Sequence, residues 1–534
     1  MEKRTLLAVL LTIVILFVFQ VFLAPKQAPQ EQQPTTSGTP TPESVEKAKP
    51  PASSPSPAAP AIPSPAYASV REAIGKARAV TVQTKSFTVT FSEMGGGITS
   101  VRLKNYKEKV GGATGKEVLE NIGPDHAYLP VVSQDTGAGN INDLVEFVPD
   151  RDSFTVSDKS ETIAFTGTLS NGSKIKKIYT FQPEGYTLGM KIQVEGAAAK
   201  TYADFAVISM KEKPTGIFKG PFVYDGNKLD QIDEVKKPIE AGQDYTFAGF
   251  DDGYFAFMWI PAPSQKAPLS ILSGSEDVPV GRIALTGQET SGNLFFGPKK
   301  LEVLKQLNIG AQKIVDFGWF DVVAKPMLWG MNWANRVTHN YGIDIILLTI
   351  LIKIIFHPLS VKSYKSMKEM QKLQPALAKL KEKYKDDKEK LNRELMDMYK
   401  QKHVNPLGGC LPMVIQIPVF FALYKVLMGA IEFRHAPFIW WINDLAAPED
   451  LFSLSLAGFS LPLRLLPFIM GITMVIQQKM TPSGVDPMQQ KMMMFMPVIF
   501  TFLFWGFPSG LVLYWLVNNV ISIAQQYYIN KKVS

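Results

Sequence analysis

The chain has 534 residues, of which 46% are hydrophobic, and a formal net charge of +8. Its single cysteine, Cys410, excludes an intramolecular disulfide, so any exported part must be stable without one. The length allows two or three domains. The surplus of Lys and Arg flanks apolar runs, which points to orientation in a bilayer rather than to nucleic acid.

At the N-terminus, Met1-Glu2-Lys3-Arg4 precedes an apolar run from Leu6 to Leu23, long enough to span. A signal peptide would share the charged start, but the run is long for one. Val21-Phe22-Leu23-Ala24-Pro25 is also a poor cleavage site. Residues 1–24 are therefore expected to be an uncleaved anchor. Residues 25–67 are Pro-rich, with twelve of the thirty-eight prolines between 25 and 66. Such a stretch cannot bury a core and reads as an extended tether.

From about residue 68 to 310 the hydrophobic period becomes two. Phe87-Thr88-Val89-Thr90-Phe91 alternates, as does the run from Ile163 to Leu169, and Pro183-Glu184-Gly185 separates two strands between Lys174 and Val194. Short alternating strands with Gly, Asn and Asp turns predict a large antiparallel β-sandwich. Asp251-Asp252-Gly253 reads as a turn and not as a catalytic pair. Residues 311–340 carry Trp319, Trp329 and Trp333 among Asp321, Lys325 and Arg336, the composition of an amphipathic helix lying in a membrane interface.

Five further spans are expected within residues 341–534, at Tyr341–Ser360, Leu407–Ala430, Leu461–Lys479, Met492–Phe507 and Ser509–Tyr528. Between the first two, residues 361–405 form a basic arm. Val361 to Lys402 holds thirteen Lys and Arg against seven acids. Leu373, Leu377, Leu380 and Tyr384 make one apolar stripe, and Leu391, Leu395 and Met398 a second. Lys385-Asp386-Asp387-Lys388 lies between them as a turn, which predicts a helical hairpin. The segment from Ile431 to Ser460 holds only Arg434, so the positive-inside rule places both termini and the basic arm in the cytoplasm and residues 25–340 outside.

Lys353 lies inside the run Ile345–Phe356. A Lys at mid-bilayer costs roughly 2.5 to 3.5 kcal/mol on an insertion scale, so a chain that keeps one there has a use for it. Thr349 is four residues earlier and falls on the same helical face. Snorkelling to the headgroups is the bland alternative for Lys353. The eight Met between Met470 and Met496 are expected to be ordinary packing or lipid-facing residues.

Leu373-Gln374-Pro375, Val404-Asn405-Pro406-Leu407-Gly408-Gly409-Cys410-Leu411-Pro412, Ile415-Gln416-Ile417-Pro418-Val419-Phe420, Ala422-Leu423-Tyr424 and Gly510-Leu511-Val512-Leu513-Tyr514-Trp515 follow one another over about two hundred residues. In these the chain resembles the YidC/Oxa/Albino family of membrane protein insertases, in the form that adds an N-terminal anchor and a periplasmic β-supersandwich. The resemblance implies a multi-domain membrane protein with a five-helix core enclosing a hydrophilic groove, open to cytoplasm and lipid. It implies that Lys353 takes the position of the groove cation, often Arg, with Thr349, Gln416, Tyr514, Trp515 and Asn518 facing the same groove. Lys keeps the charge but not the bidentate fork of Arg, and Trp515 stands where a second Tyr is frequent.

The partners implied are nascent membrane protein chains, membrane lipids and the Sec translocon, with the ribosome and the signal-recognition-particle pathway reached through the hairpin. No cofactor or metal is expected, and no enzyme activity. The competing class is an ion-coupled transporter or channel, which calls for acidic residues or a charge relay within the spans; Asp344 stands only at a helix end.

Overall fold

The computed structural model describes residues 67–119, 128–137, 140–196, 200–205, 218–263, 265, 267–274, 278–402, 404, 411–456, 459–480 and 487–533. The expected anchor at 1–24, the tether up to residue 66, Asn405 to Cys410 and Thr481 to Asp486 lie outside the described residues.

A short helix, α1 (Tyr67–Lys76), precedes the first strand, so the region expected from about residue 68 to be β opens helically. The strands then form a five-stranded, a nine-stranded and a six-stranded sheet. Pairing is antiparallel apart from Ala79–Gln83 beside Phe154–Thr155, which is parallel. Alternation does what the sequence demands. In Phe87–Ser92 the residues Phe87, Val89 and Phe91 are buried, and Lys174–Phe181 buries every second side chain. Lys174–Phe181 pairs with Thr187–Glu195 across the turn at 183–185.

One apolar core joins Phe91 and Val101 of the five-stranded sheet, Phe165, Phe181 and Phe257 of the nine-stranded sheet, and Phe205 and Ile283 of the six-stranded sheet. Asp251-Asp252-Gly253 is a turn: Gly253 donates its N–H to Asp251 Oδ1 at a backbone φ of 88°. Asp251 itself is buried and paired with Lys299 at 2.6 Å. Burial pushes its carboxyl up to about 6 against the pull of Lys299.

A second buried ion pair occurs in the sandwich. Lys177 and Asp143 are fully enclosed and 2.6 Å apart. Lys177 Nζ also donates to the carbonyls of Gly95 and Pro130 at 2.7 and 2.8 Å, and Tyr128 donates to Asp143 at 2.8 Å. This group pins three segments to one strand.

The chain leaves the sandwich through α2 (Leu301–Gln306) and enters α3 (Asp321–Thr338). Ala324, Met327, Leu328 and Met331 of α3 are buried, whereas Val322, Trp329, Trp333 and Val337 are exposed. Of the amphipathic segment expected at 311–340, the helix covers Asp321–Thr338, with two of the three Trp on its open face and Trp319 exposed just before it. A second apolar cluster runs from Phe222, Phe247 and Phe295 of the nine-stranded sheet through Leu304 and Phe317 into the helices beyond.

Those helices are α4 (Tyr341–Ile355), α5 (His357–Lys372), α6 (Gln374–Lys383), α7 (Lys388–Gln401), α8 (Leu411–Gly429), α9 (Leu465–Met480), α10 (Pro487–Leu503) and α11 (Ser509–Val533). A helix stands at each of the five places where a span is expected, but the boundaries differ. The expected span Tyr341–Ser360 is bent by 62° where α4 gives way to α5. Pro358 lacks the N–H for an unbroken helix and sits in the first turn of α5. The expected span Leu461–Lys479 starts at Leu465, because Phe459–Leu463 is a strand paired with Phe452–Leu456. That stretch alternates Leu and Phe with Ser, which is a strand period.

The basic arm, finally, has three helices instead of two. α5 continues from the span, and α6 and α7 form the hairpin proper, with Asp387 accepting from Lys390 N as the cap of α7. Among the described residues no single helix is long and apolar enough to cross a membrane, and α4 with α5 pass that test only together.

Candidate functional site

Thr349 and Lys353 lie one turn apart on α4, and α11 packs alongside. Lys353 Nζ donates to Ser522 Oγ at 2.7 Å, and Ser522 Oγ in turn donates to the carbonyl of Asn518 at 2.7 Å. Among the described residues no carboxylate pairs with Lys353. Thr349 is buried and returns its hydroxyl proton to Ile345 O at 2.6 Å, the usual way a helix absorbs a Thr.

Gln416 of α8 hydrogen-bonds to the hydroxyl of Tyr514 on α11, donating its amide N–H, and Tyr514 is fully buried. Asn518 lies one turn further along α11, with its Oδ1 buried and without a hydrogen-bond partner. Lys353, through Ser522, and Gln416, through Tyr514, thus meet one polar track along α11 that includes Asn518, with Thr349 one turn from Lys353 on α4. Trp515 lies off this track. Its ring packs against Phe420, Phe500 and Phe504 at centroid distances of 5.3, 5.9 and 5.1 Å, closing an aromatic cluster beside the track.

Sequence reasoning missed Ser522, which holds the cation. It also missed a second polar seam on the other flank of α11. Asn519 donates to Thr473 Oγ1 of α9 at 3.3 Å, and Gln526 donates to Met480 O at 2.6 Å. A signal for Ser522 does exist. Tyr514, Asn518, Ser522 and Gln525 recur at three- and four-residue steps, the period of one helical face. In a helix this apolar, such a stripe cannot face hydrocarbon, because each unpaired polar group there costs several kcal/mol, on the order of 2–7.

The arrangement is a cation held by one neutral hydroxyl, with an orphan amide oxygen one turn from that hydroxyl on the same helix. It has no nucleophile–base pair, and among the described residues no cluster of His, Cys, Asp or Glu could hold a metal ion. What it offers is a reversible partner for an acidic or carbonyl group.

Comparison with known proteins gives the family. The family described as 60Kd inner membrane protein matches residues 333–534, and the YidC periplasmic domain matches residues 79–330. A membrane protein insertase YidC of Geobacter metallireducens is 41% identical over 100% of this chain and 99% of its own. The chain belongs to the YidC family of membrane protein insertases. A relative of the same name from Geotalea daltonii is 40% identical, with 100% of both chains covered. A solved structure described as an active YidC insertase with its first transmembrane domain resolved is 21% identical, covering 84% of this chain and 92% of that one, at a TM-score of 0.39.

Proposed function

We propose that the chain inserts newly made membrane proteins by lending the polar track of α4, α8 and α11 to the polar tail that must cross first. The observation that carries this reading is Lys353, held by a serine hydroxyl and, among the described residues, by no carboxylate. Moving a charged tail through hydrocarbon is the expensive step. A hydrophilic groove reaching partway across shortens the dry path, and the ammonium receives acidic side chains and carbonyls on the way. The exposed apolar flanks, Leu351 and Ile354 of α4 and Ile472 of α9, meet lipid and let the new helix leave sideways.

In this reading residues 1–24 are an anchor, 25–67 a tether, 68–310 the periplasmic sandwich, 311–340 the interfacial helix and 341–534 a five-span core. Both termini and the hairpin at 361–405 are cytoplasmic. The bend at Phe356 then falls where α4 emerges and the basic α5 begins. The Lys-rich faces of α6 and α7 are suited to anionic lipid headgroups or to the ribosome and the signal-recognition-particle pathway. Action alone and action beside the Sec translocon both fit.

A channel or ion-coupled transporter would need an acidic relay, and Asp344, which is buried, is already taken by Asn335 and Thr338 at 2.8 and 2.6 Å. Depletion and complementation with single-span reporters tests the proposal. Lys353→Ala should impair reporters with acidic tails more than those with neutral tails, and equal insertion of both by the variant and the parent chain would overturn it.

A further inference from the structure

The turn that follows α8 turns an apolar tip outward. Trp440 has a backbone φ of 55°, a left-handed geometry that a bulky residue rarely takes, and its side chain is 82% exposed. Ile439 beside it is 41% exposed. The stretch from Ala436 to Ile442 carries no charge. The base of the turn is firmly held: Phe438 N donates to Ile442 O at 2.9 Å, Leu445 N donates to Ala436 O at 3.0 Å, and Trp441 stacks on Trp440 at 5.6 Å. A rigid base under a strained, outward-turned indole is what a built projection looks like, and not a frayed loop.

Its position says what it meets. Asn340 Nδ2 donates to Phe438 O at 3.0 Å, and the Phe438 ring lies against the backbone of Gly342, leaving no space there for a Cβ. The turn is thereby fixed to the corner between α3 and α4. On one side of that corner is the open face of α3 with Trp329, Trp333 and Val337; on the other is the open flank of α4, beginning with Ile343 and Leu347. Trp rings with a wet N–H and an apolar body settle at the boundary between headgroups and acyl chains.

We infer that Ile439 and Trp440 form a wedge that docks in the periplasmic leaflet of the bilayer. It fixes the depth of the α3–α4 corner. This rests on the topology proposed above, in which the corner faces the periplasm. The wedge also acts as a ruler. Lys353 lies thirteen residues beyond Asn340. At about 1.5 Å per residue the cation sits roughly 20 Å below the corner. In a hydrocarbon layer of about 30 Å that is well inside the cytoplasmic half, within reach of tails entering from the cytoplasm.

The test uses the full chain with Cys410→Ser, reconstituted in phosphatidylethanolamine–phosphatidylglycerol vesicles. A nitrobenzoxadiazole label is placed at Ile439→Cys, at Trp440→Cys and, as a control, at Glu184→Cys on an exposed turn of the sandwich. Lipid carrying a nitroxide near the headgroup should quench the labels at 439 and 440 at least threefold more than the label at 184. Equal quenching at all three sites overturns the wedge. So does an apolar emission at 440 that lipid does not quench, since that marks a protein partner instead. Dithionite added outside right-side-out vesicles examines the topology separately. Bleaching of the 184 label only after lysis overturns the periplasmic assignment. Bleaching of it from outside, with unquenched labels at 439 and 440, overturns the wedge alone.

Discussion

Two lysines show how the two halves of this molecule hold a charge that is wholly or partly withdrawn from water. Lys177, in the sandwich, is fully enclosed and has a carboxylate and two carbonyls around its ammonium. Lys353, among the helices, has one serine hydroxyl. The first charge is satisfied and serves to lock strands together. In the proposed function the second is the one left free to exchange its hydroxyl partner for a passing group. Lys177 is fully buried and Lys353 only half-buried, so the two differ both in enclosure and in the completeness of their partners.

The contrast can be broken most forcefully at Lys177. Lys177→Met leaves Asp143 buried without its cation, and removing one member of a buried pair costs about 3–5 kcal/mol. Thermal unfolding of the full chain in detergent should report that loss, and adding Asp143→Leu should recover a good part of it. A variant as stable as the parent would deny the pair its structural role.

Lys353→Ala should do the reverse, shifting stability by less than about 1 kcal/mol, as for a poorly partnered charge. Its insertion of acidic-tailed reporters should fall about tenfold, roughly the 1.4 kcal/mol of one charge-assisted hydrogen bond. Lys353→Arg should retain activity.

A third expectation concerns pH. The carboxyl of Asp251 is raised by burial to about 6, so its protonated form is favoured in the folded state. That contribution is complete below the unfolded value of about 3.9 and is lost as pH rises through about 6. The stability difference between the parent and Asp251→Asn should therefore change between about pH 4 and pH 6, by on the order of 2–3 kcal/mol, and stay flat above that range.

The smallest effect belongs to Ser522. Ser522→Ala frees the ammonium without removing it and should alter the ratio of acidic-tail to neutral-tail insertion about threefold, less than 1 kcal/mol. Ser522→Thr, which keeps the hydroxyl, should leave the ratio near that of the parent. A ratio unchanged by Ser522→Ala would show that the serine is only a spacer.

Much of the architecture is legible in the amino-acid sequence. The alternation in Phe87–Phe91 and in Lys174–Val194 predicts strands that are there, because a strand's period is local and burial enforces it. The stripes in the basic arm predict the pairing of α6 with α7 for the same reason. The misplacements have local causes as well. A hydropathy window joins Leu461–Leu463 to the helix after it, since it cannot see the Leu/Ser alternation that makes a strand. It also runs α4 through the bend that Pro358 imposes. Among the groove candidates, Lys353, Thr349, Gln416, Tyr514 and Asn518 come from family resemblance and helical spacing. The same resemblance groups Trp515 with them, although its ring belongs to the aromatic cluster of Phe420, Phe500 and Phe504.

By itself, the amino-acid sequence determined that a β region precedes a helical one, that a cation sits in an apolar helix, and that a basic arm follows it. Each of these is written in a window of a few turns, as period, hydropathy or charge. Only the tertiary structure decided what the charges meet. Ser522 is 169 residues from Lys353, and Asp143 reaches Lys177 from another segment of the sandwich. Which residues oppose one another across two helices or two sheets depends on packing register and rotation, set by the whole core at once. For that reason the cation is plain in the sequence, whereas its partner shows there only as one member of a polar stripe.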